Sequence, residues 1–167
     1  MSFSPLNAVD KINYWIGRAV SHFVLIIIAI ILIEVVLRYV FNRPTMWAHE
    51  TSEHLFAIFF LLGAAYTLAE GGHVRVDLFQ RKLSIRGQAV LEVCTAPFFF
   101  LFVLLLLYQG GEMGWESVMM RERSQNPWAP YIFHVIAMLP VAAFLLFLQG
   151  LVQLIRNIRT IFSGVKQ

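Results

Sequence analysis

The stretch AVSHFVLIIIAIILIEVVL, Ala19 to Leu37, decides the fold. It holds no Lys or Arg, and its one acid, Glu34, stands near its end. A bilayer's hydrocarbon core is about 30 Å thick and takes roughly 20 helical residues to cross, so a run of this length reads as a membrane span. Three further runs appear on working outward along the chain. Ala89 to Tyr108 is interrupted by Glu92 and Pro97, and Tyr131 to Ile155 contains Pro140 and Gly150. Leu55 to Ala69 is too short alone but becomes long enough when extended back to Trp47, which draws His49, Glu50, Glu53 and His54 into its first turns. The whole chain agrees: 59% of its 167 residues are hydrophobic and 14% charged, too little polar surface to cover a soluble enzyme. The expectation is an all-α integral membrane protein, one four-helix membrane domain over residues 1–167 with spans at about 19–37, 47–69, 89–108 and 131–155.

The first run is followed by Arg38 and Phe41-Asn42-Arg43-Pro44 rather than by small residues of a cleavage site, so it reads as a retained span. Lys and Arg set the expected orientation. Lys11, Arg18, Arg75, Arg81, Lys82, Arg86, Arg156, Arg159 and Lys166 fall on one side, and Arg38, Arg43, Arg121 and Arg123 on the other. Nine against four places both termini in the cytoplasm. The basic excess therefore reads as a topology signal and not as a nucleic-acid surface. Cys94, alone in an apolar run, permits neither an intrachain disulfide nor a thiolate cluster.

Two segments read as short amphipathic interfacial helices. In the amino tail Val9, Ile12, Ile16 and Val20 form a helical stripe, with Tyr14 and Trp15 at headgroup level. This segment is expected to lie on the cytoplasmic surface and turn into the first span. Within His73 to Leu83, Val74, Val76 and Leu78 alternate as in a strand while Leu78, Phe79 and Leu83 keep a helical stripe; an unpaired strand edge at a membrane is costly, which favours a basic helix. In the connection Gln109 to Pro130, Glu112 to Arg123 is able to prolong the third helix, and Asn126-Pro127-Trp128-Ala129-Pro130 then breaks it.

The densest polar group is His49-Glu50-Thr51-Ser52-Glu53-His54. It lacks the two histidines one turn apart that zinc peptidases require. Its acids and imidazoles instead fall at i,i+4 spacing near a helix start. Glu50 faces Arg38 across one short loop, and an Arg38–Glu50 ion pair is expected to hold the first hairpin, against the plainer reading of a solvated Glu50. His54 and His134 share a depth, which leaves a haem-binding membrane anchor of a redox enzyme as the alternative, although His22 finds no partner for a second haem. Glu34 and Glu92 stand at opposite ends of the spans and cannot form one midplane site. There are no repeated halves of the kind found in self-contained secondary transporters. This is the pattern of an accessory subunit, with no catalytic, cofactor or metal residues assigned.

The string Arg38-Tyr39-Val40-Phe41-Asn42-Arg43-Pro44 with Trp47 and Glu50, then Gly71-Gly72-His73-Val74-Arg75-Val76-Asp77-Leu78, Trp128-Ala129-Pro130 and Leu148-Gln149-Gly150, resembles the small membrane subunit (Q or DctQ) of tripartite ATP-independent periplasmic (TRAP) transporters. The resemblance runs from about Ala19 to Ile158. It implies a bacterial inner-membrane complex that imports organic acids on a sodium gradient, in which a periplasmic substrate-binding protein delivers to a large membrane subunit. The small subunit is then non-catalytic: it pairs with the large subunit's scaffold, widens its footprint in the lipid bilayer and supplies part of the docking surface. Arg38, Asn42, Pro44, Trp47, Glu50, Gly72, His73 and Asp77 carry the motif, with structural roles. Asn42 and Pro44 suit a tight turn and Trp47 a headgroup anchor, while Asp77 suits either pairing with Arg75 or Arg81 or capping a helix. Glu112, Glu116, Arg121, Glu122 and Arg123 are the docking candidates, set against the reading that they are simply solvated.

Overall fold

The computed structural model describes residues 5–71 and 84–162. Five helices appear in them: α1 (Pro5–Tyr39), α2 (Ala48–Ala69), α3 (Ile85–Met120), the single turn α4 (Phe133–Ile136) and α5 (Met138–Phe162). Four helical segments, with α4 and α5 counted together, are long and apolar enough to cross a membrane. The expected helix over 73–83, and with it Gly72, His73 and Asp77, lies outside the described residues.

The amino tail differs from the expectation. It does not lie apart on a surface but is continuous with the first span in one helix of 35 residues, about 52 Å at 1.5 Å per residue. The inward stripe is also rotated from Val9, Ile12 and Ile16 onto Asn13, Gly17 and Val20, and continues at three- and four-residue steps through Phe23, Ile27, Ile30, Glu34 and Leu37. Two contacts explain the rotation. Asn13 finds a buried partner on α5, and Gly17 lies against the Tyr66 ring of α2, where any Cβ would overlap it.

The helices form an open row rather than a closed bundle. α1 packs on α2 and more lightly on α5, α2 packs on α5 and α5 on α3, whereas among the described residues α3 has no extensive packing on α1 or α2. The central α5 accordingly has the most enclosed apolar window, 28% buried against 6% for α3 at the end of the row. In lipid the hydrophobic effect does not drive helices together, so association depends on close packing of small residues and on interhelical hydrogen bonds. The buried apolar set has that character: Val20, Ala48, Ala65, Ala89, Val103, Ala142, Ala143 and Val152. Gly150 lets the Phe99 ring sit on the α5 backbone, and Phe100 meets Phe147 edge to face at 5.5 Å. Phe98 and Phe102 point outward instead, as do Leu25, Leu32 and Leu105. Of the small residues in α2, Ala65 is buried while Gly63 faces open space.

Proline and left-handed residues set the breaks. Pro140 lacks the N–H that would bond Ile136 O, and its ring crowds that carbonyl, so the helix interrupts at Ala137 and restarts with Pro140 in its first turn. α3 has 36 residues and runs on from the apolar segment through Gln109–Met120, where Arg121 ends it in the left-handed conformation at φ 46°. The chain returns through an antiparallel bridge of Arg123 with Tyr131 and a tight turn at Asn126-Pro127-Trp128-Ala129.

Candidate functional site

Two faces of the row carry polar chemistry. The terminus face holds the start of α1 and the end of α5; the turn face holds the α1–α2 connection and the α3–α4 loop.

On the turn face, Asn42 takes a left-handed φ of 50°, a conformation in which Asn is several-fold enriched, and the Arg43 N–H returns to Leu37 O at 2.9 Å. This reverses the chain before Pro44. Thr45 is thereby brought over α1, where its N–H donates to Glu34 Oε2 at 3.0 Å and its hydroxyl donates to the same oxygen. Arg38 donates to Glu34 Oε1 through Nε at 2.9 Å and Nη2 at 2.6 Å. The expected Arg38–Glu50 pair does not form. Arg38 reaches a carboxylate one turn away on its own helix, at a spacing that needs no alignment between helices. Glu50, 3% exposed, turns into the packed face of α2, and its Oε2 has no hydrogen-bond partner among the described residues. Glu34 is thus the residue that locks the hairpin, a role the sequence reading assigned to Glu50. Its i,i+4 spacing to Arg38 was the legible signal.

Trp47 precedes α2 without a side-chain cap, and His49 pairs with Glu53 at 3.0 Å on the outer surface. His54 and His134 meet with ring centroids 5.6 Å apart and nearly perpendicular, beside Phe133. This ring contact helps join α2 to α4. In the α3–α4 loop, Arg123 donates to Tyr131 Oη at 2.5 Å and lies 4.2 Å from that ring's centroid. Its guanidinium is engaged inside the chain. Glu112 and Glu116 on the α3 extension, Arg121 at its end and Glu122 beyond it have exposed side chains.

The terminus face contains a network that the sequence reading missed. Gln149, fully buried, accepts from Asn13 Nδ2 at 2.7 Å and donates through Nε2 to Asp10 Oδ1 at 2.9 Å. Arg156 donates to both oxygens of Asp10. On the other flank of α5, Glu92 of α3 accepts from Gln153 at 3.4 Å and Asn157 at 2.5 Å. Gln149, Gln153, Arg156 and Asn157 recur at helical spacing on α5, so one polar stripe ties α5 to α1 and to α3. That periodicity was available in the sequence. His22 is satisfied locally by Arg18 O at 2.8 Å.

No group of three or more His, Cys, Asp or Glu is arranged to hold a metal among the described residues. Fold and site together define a multi-pass membrane protein whose polar side chains tie helices together at two faces. The profile described as "Tripartite ATP-independent periplasmic transporters, DctQ component" matches residues 27–160. A relative in Haemophilus influenzae, named as a TRAP transporter small permease protein, is 29% identical across 92% of this chain and 96% of its own length. The chain belongs to the DctQ family, the small-permease component of TRAP transporters. It is a transport subunit and not an enzyme, and its family implies a large membrane subunit in the same transporter.

Proposed function

We propose that the chain is the non-catalytic small subunit of a sodium-coupled importer of organic acids in a bacterial inner membrane. It pairs with the scaffold of the large membrane subunit and contributes to docking of the periplasmic binding protein. The observation that carries this reading is where the polar groups lie. Glu34, Arg38 and Thr45 are joined at one face, and Asp10, Asn13, Gln149, Arg156, Glu92, Gln153 and Asn157 at the other. Between them the helices meet through Ala, Val, Gly and aromatic side chains, a construction suited to a rigid brace rather than to an ion path. The open row supports the pairing, because α1 and α3 each present a long apolar face that no other described helix covers.

The nine-to-four division of Lys and Arg along the sequence supports cytoplasmic termini and a periplasmic turn face. The α3 extension then projects into the periplasm with Glu112, Glu116 and Arg121 outermost, and these are the proposed docking groups. Arg123, held on Tyr131, orders the loop beside them. The test is uptake by vesicles that contain the binding protein and the large subunit, with and without this chain. Accumulation of a carboxylate that requires both this chain and an inward sodium gradient is expected. Equal accumulation in the absence of the chain would refute the reading.

A further inference from the structure

A groove of about 680 Å³ runs down the outer side of the α1–α2 hairpin. Its walls are Ile27, Ile31 and Val35 of α1 and Phe56 of α2, and its rim carries Arg38, His49 and Glu53. Ile27 to Arg38 is eleven residues, about 16 Å of helix rise. Half of a 30 Å hydrocarbon core is about 15 Å, so the apolar trough is as deep as one leaflet and its polar rim stands at headgroup height.

The rim carries charges of both signs. Arg38 spends Nε and Nη2 on Glu34 and leaves Nη1 without a hydrogen-bond partner among the described residues; its side chain is 49% exposed. Glu53, across the groove, is 57% exposed and among the described residues pairs with the still more exposed His49 alone. A guanidinium edge and an open carboxylate over an apolar trough match a phosphate beside an ammonium, with an acyl chain beneath. We propose that this groove binds one zwitterionic phospholipid of the phosphatidylethanolamine type from the leaflet on the turn face. Its phosphate accepts from Arg38 Nη1, its ammonium donates to Glu53, and an acyl chain lies along Ile31, Val35 and Phe56. An anionic headgroup such as phosphatidylglycerol satisfies Arg38 but offers nothing to Glu53. The inference rests on the membrane fold and leaves Leu25, Ile28, Leu32 and Val36 of α1, which lie outside the groove, for the proposed subunit pairing.

The full chain, purified in detergent and stripped of lipid, is mixed with equal amounts of phosphatidylethanolamine and phosphatidylglycerol, and the retained lipid is measured by native mass spectrometry. Preferential retention of one phosphatidylethanolamine per chain is expected. Glu53→Gln, at an exposed position that folding does not depend on, should reduce the preference about threefold, as loss of one exposed charge contact predicts. Ile31→Trp should fill the trough and abolish retention while helical content stays as in the parent. Equal retention of the two lipids, or a preference unchanged by Glu53→Gln, overturns the proposal; the latter decides even if Ile31→Trp fails to fold. In native membranes a photoreactive phenylalanine analogue at position 35 should form phospholipid adducts. Adducts to protein alone would overturn the assignment.

Discussion

Replacing Gln149 with Leu tests the account of how this row of helices holds together. Gln149 is fully buried and connects α5 to α1 through Asn13 at 2.7 Å and Asp10 at 2.9 Å. Leu is close in size, so the substitution removes polarity with little change of packing. Two interhelical hydrogen bonds in a membrane protein are worth about 0.6 kcal/mol each, which sets a floor near 1 kcal/mol. Asn13, 1% exposed, would then lose its Nδ2 acceptor, and its Oδ1 already lacks a partner among the described residues. An unsatisfied buried amide adds about 1–2 kcal/mol, for a total of about 2–3 kcal/mol. Asp10 contributes little to the loss because Arg156 continues to hold it. The assay is reversible unfolding of the full chain in mixed micelles titrated with SDS, followed by far-ultraviolet circular dichroism. The second substitution, Asn13→Leu, should recover about 1–2 kcal/mol in the Gln149→Leu background by removing the stranded amide, although alone it destabilises. A single-mutant loss below about 0.5 kcal/mol, or a double mutant equal to the sum of the singles, would refute the reasoning.

Gly17→Val should push Tyr66 off α1 and destabilise the chain by about 1–3 kcal/mol, the usual penalty of overpacking, and Tyr66→Ala should relieve much of it; the same unfolding assay reads both. Arg38→Gln and Glu34→Gln should be non-additive in complex stability, whereas Arg38→Gln and Glu50→Gln should be additive, because Arg38 pairs with Glu34; strong coupling of Arg38 to Glu50 would contradict the hairpin geometry. Arg121→Glu should weaken uptake that depends on the binding protein while leaving fold stability unchanged, since Arg121 is exposed. Arg123→Glu should instead loosen the loop, seen as faster proteolysis between α3 and α4, because it loses both the hydrogen bond and the ring contact with Tyr131. Alkaline phosphatase fused after residue 162 should be inactive and fused into the loop at position 125 active, and the reverse pattern would invert the proposed topology.

The apolar runs were legible because crossing a bilayer imposes a length on a single segment and needs no knowledge of neighbours. The prolongation of the third helix past Tyr108 was legible, but its end was not: Arg121 stops it in the left-handed conformation, ahead of Asn126-Pro127. Glu34 was seen, but as an isolated acid near a span end. Its role appears only when Asn42 reverses the chain and delivers Thr45 to its second oxygen. Arg123 reads in sequence as a docking charge, and the fold adds a second role, a hydrogen bond to Tyr131 eight residues away. The Leu148-Gln149-Gly150 string was seen only as part of a resemblance. The fold gives two of its members physical work: Gln149 holds α1 and Gly150 admits Phe99.

The sequence by itself determined that this is a four-span membrane protein and placed its polar residues at the span ends, since hydrocarbon excludes charge whatever the partner helices do. Only the tertiary structure decided that the spans form an open row with α5 in its interior, that the amino tail is continuous with the first span, and that Arg38 holds Glu34 and not Glu50. In lipid every helix face is apolar, so hydropathy does not distinguish a face that meets a helix from one that meets acyl chains. The distinction comes from a few small and polar side chains such as Gly17, Ala65 and Gln149, whose effect depends on the residue opposite, and that residue is fixed by the packing of the folded chain.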